Sequence, residues 1–69
     1  MKISNAVQIS MYITMERKKQ HITQQEIARK LNISFKKYNE FENNKTFLKI
    51  NELILIMKIL NIPFAMGEN

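Results

Sequence analysis

Residues 23–45 read TQQEIARKLNISFKKYNEFENNK, and the way this stretch divides into helices decides the fold. Thr23 and Glu26 stand at the spacing of a capping box, in which the threonine hydroxyl accepts from the N–H three residues on and the glutamate reaches back to the threonine N–H. A helix therefore begins at Gln24, with Ile22 placed as a staple before the cap. Ile27, Ala28 and Leu31 form its inward stripe, while Arg29 and Lys30 point out. Asn32 can take the left-handed conformation that ends a helix without glycine, Ile33 plugs the corner, and Ser34 is suited to cap the next helix. In that next helix, aromatic rings are interleaved with lysines, glutamates and asparagines. At roughly 100° per residue Tyr38 and Phe41 share the inward face, and Lys36, Asn39 and Glu40 point the other way. The helix ends at Asn43-Asn44, where asparagine can again supply a positive φ.

Two helices joined by a short turn, the second with an outward polar face, make a helix-turn-helix. Ala28 sits where the helices cross and only a small side chain fits. Gln24 opens the first of the pair, where its side chain and the free backbone N–H groups can hold a phosphate.

Outward from this centre the pattern stays helical, since one glycine and one proline, Gly67 and Pro63, are the only strong punctuators. Upstream, Val7, Met11 and Met15 recur at four-residue spacing beside Tyr12 in a helix from about Asn5 to Lys19. Its closing Glu16-Arg17-Lys18-Lys19 cluster puts cations at the negative end of the dipole. Downstream, Ile50, Leu53, Ile54, Met57 and Leu60 fit an amphipathic helix, and Leu55, Ile56 and Ile59 widen its stripe beyond a single contact face, as burial by a second chain would. Pro63 halts it. Ile62, Phe64 and Met66 then alternate with smaller residues as a short strand does, and its simplest partner is the same segment of a symmetry mate. The expected dimer interface is therefore Leu55, Ile56, Ile59, Ile62, Phe64 and Met66. The expected architecture is all-α, a single domain over residues 1–69 of about five short helices, one of them a single turn in the link before residue 50. The helix-turn-helix spans 23–43, and a dimerising helix and C-terminal strand span 50–67.

The totals bound what such a domain does. A chain of 69 residues buries only about 60% of its unfolded surface, so its own core gives marginal stability and a partner surface is expected. There is no cysteine and only one histidine, which leaves no material for a disulfide or a thiolate zinc site; neither a metal nor a cofactor is expected. The longest apolar run, Leu53 to Met57, is too short to span a bilayer, and no signal or transit pattern precedes it, so the expectation is a cytoplasmic protein. A net charge of +5 and a pI near 9.8 favour an anionic partner, either nucleic acid or a membrane surface. Lys and Arg are spread over several elements rather than along one amphipathic face, which argues against the membrane. An enzyme is not expected: there is no glycine-rich phosphate loop, no histidine beside a nucleophile, and too little chain to wall off a pocket.

The run TQQEIARKLNISFKKYNEFENNK resembles the Xre/Cro family of phage-repressor-type DNA-binding domains, whose members share a TQ-x-E-hydrophobic-A core, a turn, and an E-N-G-K ending after the third helix. The likeness covers about residues 13–62. The FENN ending, the helix after it and the IPFAM segment behind that are most similar to HipB-type antitoxins. In those the C-terminal strand pairs across a dimer that represses its own toxin–antitoxin operon. Asn44 stands where the family usually has glycine, and His21 stands near the usual glycine before the second helix. The resemblance implies a homodimer on the palindromic operator of double-stranded DNA, with a cognate toxin as a further partner. Carried over by position, Gln24 anchors a phosphate, and Ser34, Phe35, Lys36, Lys37, Asn39 and Glu40 are the candidates for base edges or flanking backbone. Lysine can donate to guanine, asparagine can pair with adenine, glutamate can accept from cytosine, and phenylalanine can cover a thymine methyl. Lys45 and Lys49 follow in the loop, better placed for phosphates. Phe35, at the border of the two faces, is open between core packing and thymine contact. Three rivals stay open: a restriction–modification controller, a phage-type repressor, and a dimeric protein-interaction module without specific DNA binding.

Overall fold

The computed structural model describes residues 6–63 and places four helices there: α1 (Ala6–Lys19), α2 (Gln24–Leu31), α3 (Phe35–Glu42) and α4 (Ile50–Ile59). The caps decide these boundaries as the sequence implies. The Thr23 Oγ1 accepts from Glu26 N–H at 3.0 Å while Thr23 N–H donates to Glu26 Oε1 at 2.9 Å. The Ser34 Oγ accepts from Lys37 N–H at 3.0 Å and starts α3.

All four helices end by one device. His21, Asn32, Asn44 and Asn61 have φ of 59°, 60°, 62° and 58°, the left-handed region. The residue after each returns its N–H to a carbonyl five back: Ile22 to Arg17, Ile33 to Ala28, Lys45 to Glu40 and Ile62 to Met57. These are Schellman closures made without glycine. Asparagine tolerates this conformation by local hydrogen bonding, whereas His21 bears the Cβ penalty with less relief. His21→Gly is therefore expected to stabilise the domain by about 0.5–1 kcal/mol, the lost strain outweighing the added freedom of the unfolded chain. A thermal melt should show a midpoint higher by roughly 2–8 °C; an unchanged or lower midpoint would show that His21 is unstrained.

The core forms where the four helices meet. Ile13 of α1, Ile27 and Leu31 of α2, Tyr38 and Phe41 of α3, and Ile56, Met57 and Leu60 around α4 are all buried. Ala28, also buried, lets α2 lie close on α3. Gln20 Nε2 donates to the Leu60 carbonyl at 2.6 Å and ties the end of α1 to the end of α4.

The faces of α1 and α4 differ from the sequence reading. On α1 the inward row is Ser10, Ile13 and Arg17, while Met11 and Met15 face solvent. Two of those inward residues are polar because they have partners waiting; Ser10 Oγ donates to Asn44 Oδ1 at 2.6 Å. On α4, Met57 and Leu60 of the expected row are buried and Leu53 packs against the core, but Ile50 is exposed and Ile56, set outside that row, is fully buried. The apolar width of α4 is thus taken up largely by the protomer's own core. Residues 45–49 run without a helical turn, pinned by buried Leu48, and the fifth helix expected in the link does not form. No strand occurs among the described residues. Ile62, assigned above to a strand, instead closes α4 and is buried in the protomer, as is Ile56 from the expected dimer face. Ile59 is half-buried and Leu55 is exposed. Phe64 and Met66 lie outside the described residues.

Candidate nucleic-acid interface

The α3 helix is held from behind and left open in front. Tyr38 and Phe41 anchor its rear, their ring centroids 5.8 Å apart and tilted at 43°. At about 100° per residue the opposite sector contains Phe35, Asn39, Asn43, Lys36 and Glu40 in angular order. Of these Phe35, Lys36 and Asn43 are exposed, and Asn39 and Glu40 are half-exposed. Phe35 therefore is not core: with 49% of its surface open, its ring stands at the first turn of the helix. Asn43 escaped the sequence reading, although it lies four residues after Asn39 and seven after Lys36, the spacing of one helical face. Its Nδ2 donates to the Asn39 carbonyl at 2.8 Å.

A polar chain fixes this face to the core. Arg17 donates through Nε and one terminal nitrogen to the two Glu42 oxygens at 2.7 and 3.0 Å, and through the other to the Ile22 carbonyl at 2.8 Å. The two side chains are only 9% and 5% exposed. Glu42 also accepts from Gln24 Nε2 at 2.8 Å, and Gln24 Oε1 accepts from Asn39 Nδ2 at 3.0 Å. One line of hydrogen bonds thus runs from α1 through α3 and α2 to the open face. Burial opposes ionisation of Glu42, but the bonds from Arg17 and Gln24 outweigh it and hold the carboxyl below its usual range. The same bond to Glu42, working against desolvation, raises the Arg17 guanidinium above its usual value. Burial, with the Glu42 carboxylate close by, pushes the Tyr38 phenol well above the usual range and keeps it neutral.

The sequence-derived set therefore splits. Gln24, half-buried at the start of α2, spends both ends of its amide on Glu42 and Asn39, which orients it rather than leaving it free. Asn39 is shared between the open face and that framework. Ser34 Oγ is engaged as the α3 cap. Lys37 leans toward α4, its Nζ 3.6 Å from Glu52 Oε1. Lys36, Lys45 and Lys49 are exposed around and beyond the helix. Lys36 and Glu40, four residues apart on α3, are not among the ion pairs formed by the described residues. Among those residues no group of acidic side chains, histidine or cysteine can hold a metal.

A helix locked by aromatics behind, capped by serine and preceded by a tight left-handed turn from α2 is the geometry of a helix-turn-helix pair. The family model described as helix-turn-helix, of the Xre/Cro-like kind, matches residues 13–66. The chain belongs to that family. Helix-turn-helix domains of this type bind DNA and regulate transcription, and the family is a regulatory rather than an enzymatic one. In its terms α2 and α3 are the two motif helices and α3 is the one presented to DNA. No helix among the described residues is long and apolar enough to cross a membrane. No curated protein and no solved structure matches the chain.

Proposed function

We propose that this helix-turn-helix domain is a sequence-specific repressor that acts as a homodimer on a palindromic operator at its own promoter, in the manner of a HipB-type antitoxin. The observation that carries DNA reading is the placement of Phe35, Lys36, Asn39, Glu40 and Asn43 on the open sector of a helix whose rear is locked into the core. Lys36 is the strongest candidate for a base edge: it is exposed, unlike Lys37, and lies in the first turn of α3, two residues after the Ser34 cap. Lys45 and Lys49 are the candidates for phosphates. Two such helices related by a dyad would enter successive major grooves about 34 Å apart. Dimerisation is supported by the apolar surface left over, with Ile50 and Leu55 on α4 and Phe47 in the link before it all exposed. The reading as an autorepressing antitoxin, with a toxin as second partner, rests on the likeness of the FENN and IPFAM segments.

Those same exposed apolar side chains, with Met11 and Met15 on α1, favour the rival reading of a dimeric protein-interaction module. Fluorescence anisotropy against the duplex upstream of its own gene, beside a scrambled duplex at two salt concentrations, separates the two. The repressor reading expects at least a thousandfold preference for the native site. Lys36→Ala should cost about 1–3 kcal/mol, concentrated at one operator position. A loss spread evenly over all sequences would make Lys36 a phosphate contact, and equal, salt-labile binding to both duplexes would leave the interaction module standing.

A further inference from the structure

Lys37 and Glu52 form the only ion pair among the described residues that joins α3 to α4. The Glu52 carboxylate is fixed before it meets the lysine, because its Oε1 accepts from the Lys49 N–H at 2.8 Å and so closes the first turn of α4. That oxygen lies 3.6 Å from Lys37 Nζ, and the two side chains are 13% and 34% exposed. Lys37 is tied at its other end as well, since its backbone N–H is the one that Ser34 caps. An ion pair this open adds little to stability. Its consequence is where it leaves the charge: one of two adjacent lysines at the start of α3 is turned aside and neutralised, and the other, Lys36, is not.

The geometry points to Glu52 as a positioning residue that withholds Lys37 from DNA and thereby sets how strongly the domain binds duplex irrespective of sequence. The inference rests on the DNA-binding reading above and deepens it. A phosphate approaching Lys37 would have to displace an anion that cannot move away, because the α4 cap holds it, and would meet that anion's charge as it did so. Counterion release counts only lysines that reach phosphate, so Lys37 adds nothing to non-specific affinity while Glu52 is charged. A binder that must tell its operator from other sequences benefits from that restraint, since non-specific affinity competes with the site.

Glu52→Gln tests this, because glutamine keeps an acceptor for the Lys49 N–H and removes only the charge. Anisotropy titrations with the native and scrambled duplexes across 50–200 mM salt should show the variant binding both more tightly. The slope of log affinity on log salt should steepen by about 0.9, one added phosphate contact, which is about a threefold larger drop across that range. Lys37→Ala alone should change affinity less than twofold, and in the Glu52→Gln background it should abolish the gain. An unchanged slope, weaker binding, or a gain that survives Lys37→Ala would each overturn the inference while leaving operator preference intact. Failure of the unaltered protein to prefer its native duplex is the separate result that removes the DNA-binding reading and this inference with it. A thermal melt of Glu52→Gln within about 2 °C of the parent, less than a 1 kcal/mol change gives in a domain this size, shows that the cap has survived.

Discussion

Arg17→Ala is expected to remove about 3–5 kcal/mol of stability, because it leaves a carboxylate almost enclosed and without its main partner. The fork of Arg17 meets both Glu42 oxygens, and its remaining nitrogen caps the Ile22 carbonyl, so the substitution orphans groups on two segments at once. A domain of this length holds roughly 3–10 kcal/mol in total, so the substitution removes a large share of it. Urea denaturation followed by circular dichroism measures it; a loss below 1 kcal/mol would mean that water reaches Glu42 freely. Lysine at position 17 keeps the charge but not the two-pronged geometry and should recover only part of the loss. The pair also sets the acid limb. The Glu42 carboxyl titrates lower in the folded protein than its ordinary 4.5, so as pH falls the unfolded chain takes up its proton first. The stabilisation is complete above pH 4.5 and is lost as pH falls through the folded value. Glu26, held low by the Thr23 N–H, works in the same direction. Stability measured from pH 7 to pH 3 should therefore fall at the acid end, and less steeply in Glu42→Gln, which starts from a lower plateau.

Phe41→Ala should cost a similar amount, about 3–5 kcal/mol, through a different mechanism. Only 4% of Phe41 is exposed, and its ring lies between Tyr38 and an apolar recess lined by Ile9, Leu48 and Leu53. Removing the ring enlarges that recess and forfeits the aromatic pair, itself worth about 0.5–1.5 kcal/mol. Phe41→Leu should cost roughly half as much. Urea midpoints for the two variants test the order, and equal losses would show that shape rather than volume governs the site. Since α3 is seated by this ring, duplex binding by Phe41→Ala should fall in proportion to its folded fraction and not beyond it.

The helix ends were legible because caps are local. Thr23 and Glu26, Ser34, Asn32 and Asn44 lie within a few residues of the groups they satisfy, and each acts where expected. The rotation of α1, and the place of Ile50 and Ile56 on α4, were not legible in the same way. Apolar side chains surround α4 almost completely, so several rows fit a helical period equally well. On α1, hydrophobicity favoured Met11 and Met15 over a row containing Ser10 and Arg17, whose burial is explained only by Asn44 and Glu42 far along the chain. Positions 17 and 42 are 25 residues apart, and no short-range pattern announces that they meet. The candidate site was legible as a face and not as a network. Polarity and period placed Lys36, Asn39 and Glu40 outward, but the engagement of Gln24 and the diversion of Lys37 toward Glu52 are set by tertiary packing.

The line of hydrogen bonds from Arg17 through Glu42 and Gln24 ends at Asn39, and this divides the open sector of α3 by heritability. Phe35, Lys36 and Glu40 hang from the helix without ties to that line, so exchanges there stay within the roughly 0.5 kcal/mol typical of exposed sites. Asn39 cannot be exchanged so freely, since its loss leaves Gln24 Oε1 without its donor and Gln24 held only at Glu42. On the proposed DNA-binding reading, a lineage drifting toward a new target would vary the first three positions and carry Asn39 along unchanged, held by mechanics rather than by meaning.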